Sequence, residues 1–202
     1  KQGITKDKIF FVGNTMIDTL LKNKPKFIKP AFWNDNKMEK KNYLVLTLHR
    51  PSNVDKLSKF KNILSDIIKY SKNLKIIFPI HPRTRKNFQK IDFQENRLIV
   101  VEPMTYLEFN FLVQNSKLVI TDSGGITEEA TVLGIPCMTL RDSTERPETV
   151  EIGTNVLLGN DSKKLEKYFN ILFSNSWKKG QIPKFWDGNT GKRIVEKIIE
   201  LF

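Results

Sequence analysis

The residues best suited to chemistry in this sequence are Asp122-Ser123-Gly124-Gly125, set between the apolar run 117–121 and a stretch with helical apolar spacing from Ile126 to Leu133. A helix that opens out of two glycines presents unpaired backbone N–H groups and the positive end of its dipole, which makes the turn an anion seat. Ser123 adds a hydroxyl, and Gly124 and Gly125 let the backbone approach a ligand with no Cβ in the way. The guest this favours is phosphate. Glu129, about one turn inside the helix, is in reach of sugar hydroxyls on a ligand whose phosphates sit at the helix end. The plainer reading has Ser123 capping the helix and the glycines only making the turn.

Other groups add to this chemistry. Arg146 offers a two-pronged cation for a phosphate, or else an ion pair with Glu145 or Glu148. His49 can move a proton or bind a phosphate oxygen near neutral pH, or simply cap a strand end. His81, before Pro82, has the same options and leans to the structural one. Asp122 ends an apolar strand and reads as orienting the glycine turn by accepting its backbone N–H bonds. Phe109 reads first as core and second as a stacking platform for a base. Two histidines 32 positions apart and the single Cys137 make no metal-ligand spacing, so neither metal nor cofactor is expected.

The elements that must position these groups follow in order. Lys8–Val12 reads as a short strand, turned by Gly13-Asn14-Thr15 into a helix over 16–21; residues 23–42, rich in proline and lysine, read as a linker. Strands are then predicted at 43–48, 75–80, 98–101, 117–121, 136–140 and 154–158. Helices are predicted at about 56–71, after the Thr105-x-x-Glu108 capping box, after Gly125, from Pro147, and at about 163–173 and 190–202. Strands this uniformly apolar, alternating with helices, imply a parallel sheet covered on both faces, a doubly wound α/β domain. Ligands of such sheets bind beyond the carboxyl ends of the strands, where His49, His81, Glu102, Asp122 to Gly125 and Arg141 to Arg146 would converge.

Composition narrows the classes. With 202 residues and 39% hydrophobic content the chain can build an ordinary core, and no stretch reaches the roughly 18 apolar residues of a membrane helix. One cysteine rules out an internal disulfide and points to a reducing compartment, so a cytoplasmic protein is expected. The net charge of +12 favours anionic partners, but the lysines are scattered and no stacking-aromatic or zinc-finger pattern accompanies them. A solvated lysine-rich surface accounts for the charge better than a nucleic-acid footprint.

These motifs together resemble the C-terminal half of the non-hydrolysing UDP-N-acetylglucosamine 2-epimerases. The resemblance runs through Val12-Gly-Asn-Thr-x-Ile-Asp18, Thr47-Leu-His-Arg-Pro-Ser-Asn-Val-Asp55, Pro79-Ile-His-Pro-Arg83, Glu102-Pro-Met-x-Tyr-Leu107, Thr121-Asp-Ser-Gly-Gly-Ile-x-Glu-Glu-Ala130, Leu133-Gly-x-Pro136 and Arg141-Asp-x-Thr-Glu-Arg-Pro-Glu148. It implies a two-domain enzyme of the glycosyltransferase-B type, with a UDP-sugar held between two Rossmann-like halves. Residues 1–22 would then be the tail of a preceding domain, 23–42 the linker, 43–185 the UDP-binding domain, and 186–202 a helix returning to the first domain. The resemblance puts the diphosphate on Ser123, Gly124 and Gly125, the ribose on Glu129, a phosphate on Arg146 and the uracil near Phe109. It makes His49 the active-site histidine and matches Arg50 and His81 to positions contacting a second, activating UDP-N-acetylglucosamine. Pro51-Ser52 and Met104 depart from residues common in the family at the activator and uracil contacts.

The implied reaction interconverts UDP-N-acetylglucosamine and UDP-N-acetylmannosamine by eliminating UDP and adding it back. The carboxylates that move the C2 proton belong to the family's other half, so this chain is expected to supply UDP binding and to be inactive alone. A homodimer is expected of the full-length enzyme, with no membrane or nucleic-acid partner. The alternatives are a glycosyltransferase of the same architecture with a UDP-sugar donor, and a basic module that binds nucleic acid and catalyses nothing.

Overall fold

A computed structural model describes residues 3–201. Six short runs, mostly apolar, become strands: β1 Tyr43–Thr47, β2 Lys75–Pro79, β3 Leu98–Val101, β4 Leu118–Thr121, β5 Cys137–Thr139 and β6 Asn155–Leu157. All pair in parallel in the order β3-β2-β1-β4-β5-β6, with Leu44 beside Leu118 and Thr47 beside Thr121 at the centre. The helices are α1 Thr15–Asn23, α2 Phe32–Asp35, α3 Pro51–Val54, α4 Leu57–Tyr70, α5 Pro82–Phe88, α6 Tyr106–Asn115, α7 Gly124–Val132, α8 Pro147–Glu151, α9 Ser162–Phe173 and α10 Thr190–Leu201. The fold is the Rossmann-like α/β arrangement that the strand-helix alternation implies.

Successive side chains of a strand point to opposite faces, so each strand feeds two cores. Leu44 and Leu46 of β1 meet Phe60, Leu64 and Ile67 of α4 and Phe169 of α9 on one face. Tyr43 and Val45 meet Val119, Cys137, Leu112 and Trp33 on the other. Cys137 is fully buried on β5, between β4 and the edge strand β6, and burial pushes its thiol up to about 12. The stretch 23–42, expected as a linker, is packed: Trp33 and Met38 are buried in the second core.

Chain ends meet across the fold. Ile17 and Leu20 of α1 pack with Trp186, and the Asp18 carboxylate accepts the backbone N–H groups of Thr190 (3.1 Å) and Gly191 (2.7 Å) at the start of α10. Gly13 is needed there. Its φ is +120°, and a Cβ would stand 2.4 Å from the Phe185 carbonyl oxygen.

Two local readings are corrected. Lys8–Val12 forms no strand: a 3₁₀ turn covers Lys6–Lys8, Ile9 and Phe11 are 60% and 62% exposed, and no strand among the described residues pairs with this apolar run. Helix α5 was not expected, because only Phe88 of its residues is a large apolar side chain. Its signals were a start at Pro82 and a capping group at His81, whose Nδ1 accepts the Arg83 N–H at 3.2 Å.

The strand order reverses between β1 and β4, so the connections leaving these neighbours run to opposite sides and leave a crevice beyond their carboxyl ends. The two connections that part there begin with His49-Arg50 and with Asp122-Ser123-Gly124-Gly125.

Candidate functional site

Asp122 joins the two connections. It is completely buried at the end of β4, and its carboxylate accepts the backbone N–H of His49 (3.1 and 3.2 Å), the N–H of Arg50 (2.9 Å) and the side-chain amide of Asn53 (3.1 Å). The His49 ring nitrogen Nδ1 lies 2.8 Å from the other carboxylate oxygen. Arg50 Nε returns a bond to the Asp122 carbonyl at 3.0 Å. Burial pushes the Asp122 carboxyl up, but the bonds from the His49 ring, the Arg50 N–H and Asn53 outweigh it and hold it below the usual aspartate range. The expected service to the glycine turn is therefore corrected. The N–H groups it accepts are those of the β1 connection, because they face β4 across the switch point.

Ser123 stands at the N-cap of α7 but makes no side-chain capping bond, contrary to the plainer reading, and its own N–H donates to Thr121 Oγ1 at 3.0 Å. Thr121 Oγ1 also shares a hydrogen bond with Thr47 Oγ1 at 2.6 Å, tying the last residues of β4 and β1. A Cβ on Gly124 would meet nothing within 4 Å, so this first helical residue faces open space. Gly125 is covered by Met16 of α1, whose Cε lies 2.8 Å from where a Cβ would sit.

Beside that helix end opens a cleft of about 390 Å³. His49, His81, Phe109 and Ser123 line it together, with Met104 and Ile126 among its apolar walls. The rings of His49 and His81 are 5.8 Å apart, and the His49 side chain is 42% exposed. Phe109 packs on the second core, as its first reading has it, and also forms part of the cleft wall. Thr105 caps α6 as the capping box predicts: its hydroxyl oxygen accepts the Glu108 N–H (3.4 Å), and the Glu108 carboxylate accepts the Thr105 N–H (3.1 Å). That cap fixes the start of the helix carrying Phe109.

Arg146 lies in a separate hollow of about 300 Å³, bordered by Asn14, Met16, Glu128 and Thr190. Its Nε is 2.6 Å from Glu128 Oε1, and Nη1 donates to the Glu145 carbonyl at 3.3 Å. The expected ion-pair partners are thus corrected: Glu145 pairs instead with Arg141, and Arg146 takes a carboxylate from α7. Glu128 also accepts a bond from Asn14 at 2.7 Å, yet burial outweighs Arg146 and Asn14 and holds its carboxyl above the usual range. Glu129 is buried between α7 and α6. Burial raises its carboxyl as well, against bonds from Tyr106 and Asn110.

The sequence-predicted residues therefore divide. His49, His81, Phe109 and Ser123 share the cleft; Gly124 and Gly125 form the helix end beside it; Arg146 sits in the other hollow; Glu129 is buried on α7 and lines neither; Arg50 is tied to Asp122. Sequence reasoning missed Asn53 and Glu128. Asn53 is buried and bridges Asp122 and the Leu140 carbonyl, and its only signal was a polar residue in the stretch after His49. Among the described residues, no group of three or more His, Cys, Asp or Glu side chains is placed to hold a metal ion. No described helix is long and apolar enough to cross a membrane.

Comparison with known proteins gives a consistent answer. The family model for UDP-N-acetylglucosamine 2-epimerase matches residues 1–199. The UDP-N-acetylglucosamine 2-epimerase of Methanocaldococcus jannaschii is 42% identical over 211 residues, covering 96% of this chain and 56% of that protein. The enzyme of the same name from Methanococcus maripaludis is 43% identical over 215 residues, with the same coverage. A crystal structure of the M. jannaschii enzyme in complex with UDP-GlcNAc and UDP superimposes with a TM-score of 0.83 at 40% identity, covering 98% of this chain and 57% of that one. The chain spans a little over half the length of the relatives it matches.

Proposed function

This chain belongs to the UDP-N-acetylglucosamine 2-epimerase family, and we propose that it supplies the UDP-binding part of an enzyme that interconverts UDP-N-acetylglucosamine and UDP-N-acetylmannosamine. The observation that carries the proposal is the cleft at the sheet's switch point, where the uncapped Ser123 and the open start of α7 meet His49 and Phe109. In this reading the diphosphate rests against Ser123, Gly124 and Gly125, where amides and the helix dipole favour negative charge. Phe109 backs the uracil and Glu129 takes the ribose hydroxyls. Arg146 turns from Glu128 toward a phosphate. Arg50 and His81 contact a second, activating nucleotide sugar.

Elimination breaks the bond between the anomeric carbon and the diphosphate oxygen while a base takes the C2 proton, leaving a glycal and UDP. Charge builds on the departing diphosphate, so donors already aimed at it lower the barrier. His49 and the α7 amides serve that step. The C2 proton needs carboxylates on the sugar side. Among the described residues, no carboxylate lines the cleft. These 202 residues are therefore expected to bind UDP without epimerising. A homodimer is proposed for the complete enzyme, acting in the cytoplasm.

Calorimetric titration tests this. UDP should bind the chain, and Arg146→Ala should weaken binding about tenfold or more, the loss of a charge-assisted bond worth about 1.5–3 kcal/mol. Equal affinity in both proteins would remove Arg146 from the site, and production of the manno epimer by this chain alone would overturn the division of labour.

A further inference from the structure

We propose that Asp122 is a positioning residue for His49: it keeps the neutral imidazole's proton on Nδ1, so that Nε2 meets the cleft as a bare acceptor and donates only when the ring is protonated. The argument is an accounting of donors. Around the Asp122 carboxylate stand the backbone N–H groups of His49 and Arg50, which can only donate. The Asn53 group there also donates to the Leu140 carbonyl at 3.1 Å, and a carbonyl can only accept, so that group is the amide nitrogen. With no surface exposure, the carboxylate is surrounded by donors and serves as acceptor to all of them. Among the described residues that bond the carboxylate, the His49 Nδ1 at 2.8 Å is the one able to play either part, and against an ionised acceptor it must donate.

The consequence reaches the cleft. A diphosphate offers only acceptor oxygens, so a neutral His49 held in this tautomer has nothing to give it from Nε2. A protonated His49 donates from Nε2, and the buried carboxylate behind it balances the charge. Among the described residues, the charged or titratable groups shown beside the ring are Asp122 from β4 and His81 from the cap of α5, whose ring is 5.8 Å away; Arg50, on the same connection as His49, donates to the Asp122 carbonyl. The step toward diphosphate rests on the UDP-sugar reading above; the tautomer does not.

Nitrogen-15 NMR of the imidazole rings in the whole chain tests the two apart, with His49 assigned by its disappearance in His49→Gln. Nδ1 of neutral His49 is expected to resonate as the protonated nitrogen, and Asp122→Asn should move the proton to Nε2. A wild-type ring protonated on Nε2 overturns the proposal, and that measurement decides even where Asp122→Asn does not fold. UDP-N-acetylglucosamine should then bind wild type at least tenfold more weakly once the ring is neutral, and a folded Asp122→Asn chain should lose that dependence. The same affinity profile in both chains overturns the link to phosphate. An Nδ1 proton in a chain that binds no UDP-N-acetylglucosamine supports Asp122's role and overturns the nucleotide reading.

Discussion

Glu129 shows the tension that a group proposed for binding puts on a fold. Its carboxyl is buried and held above the ordinary range by that burial, so ionising it at neutral pH costs stability. Glu129→Gln keeps the shape and removes the charge. Thermal unfolding at pH 7 should move up by a few degrees, and the gain should shrink toward pH 4, where the wild-type carboxyl is protonated too. UDP affinity should fall about tenfold if the carboxylate takes the ribose hydroxyls. At this scale the sequence showed which residues were capable and not whom they touch. Arg146 and Glu128 are 18 positions apart and meet only because α8 is brought beside α7. Asp122 was legible as a carboxylate at a strand end, yet its partners 69 to 73 residues away were not.

Elements were read best where one physical cause decides them. All six strands were anticipated because the runs, set between turn residues, are mostly buried, and burial on both faces is what a parallel sheet demands. Lys8–Val12 has similar composition but no neighbouring strand among the described residues, and composition cannot report a neighbour. Helix α5 was hidden by its basic surface, which leaves little apolar periodicity to detect. The capping box of α6 was visible because both its partners lie within one turn. Thr105→Ala removes the cap and should cost about 1 kcal/mol, read as a fall in Tm of about 2–4 °C for a chain of this size. The expected secondary effect is a looser Phe109 wall and weaker UDP binding.

For the molecule as a whole, pH acts through opposing groups. The folded Asp122 carboxyl lies below its unfolded value, so its contribution is full above the ordinary aspartate range near 3.9 and is lost as pH falls through the folded value. Glu128 and Glu129 have raised folded values. Their sign is opposite, and stability drops as pH rises from the ordinary glutamate range through those values. Added to a net charge of +12, which grows on acidification, these trends give a maximum of Tm on the mildly acid side of neutrality. A series of melts from pH 3 to 8 checks it. A curve rising steadily to pH 8 would contradict the raised glutamates, and Glu128→Gln should flatten the decline above the maximum.

The lone thiol of Cys137, sealed between β4 and β6 and reluctant to ionise, gives the chain its own stopwatch. An alkylating reagent can reach that sulfur only while this half of the sheet is parted, so the rate of modification counts those partings directly, without any introduced label. Nucleotide at a hundred times its dissociation constant should slow the count by about a hundredfold if parting the strands abolishes its seat. An unchanged rate would mean that the sheet's far edge breathes independently of the ligand.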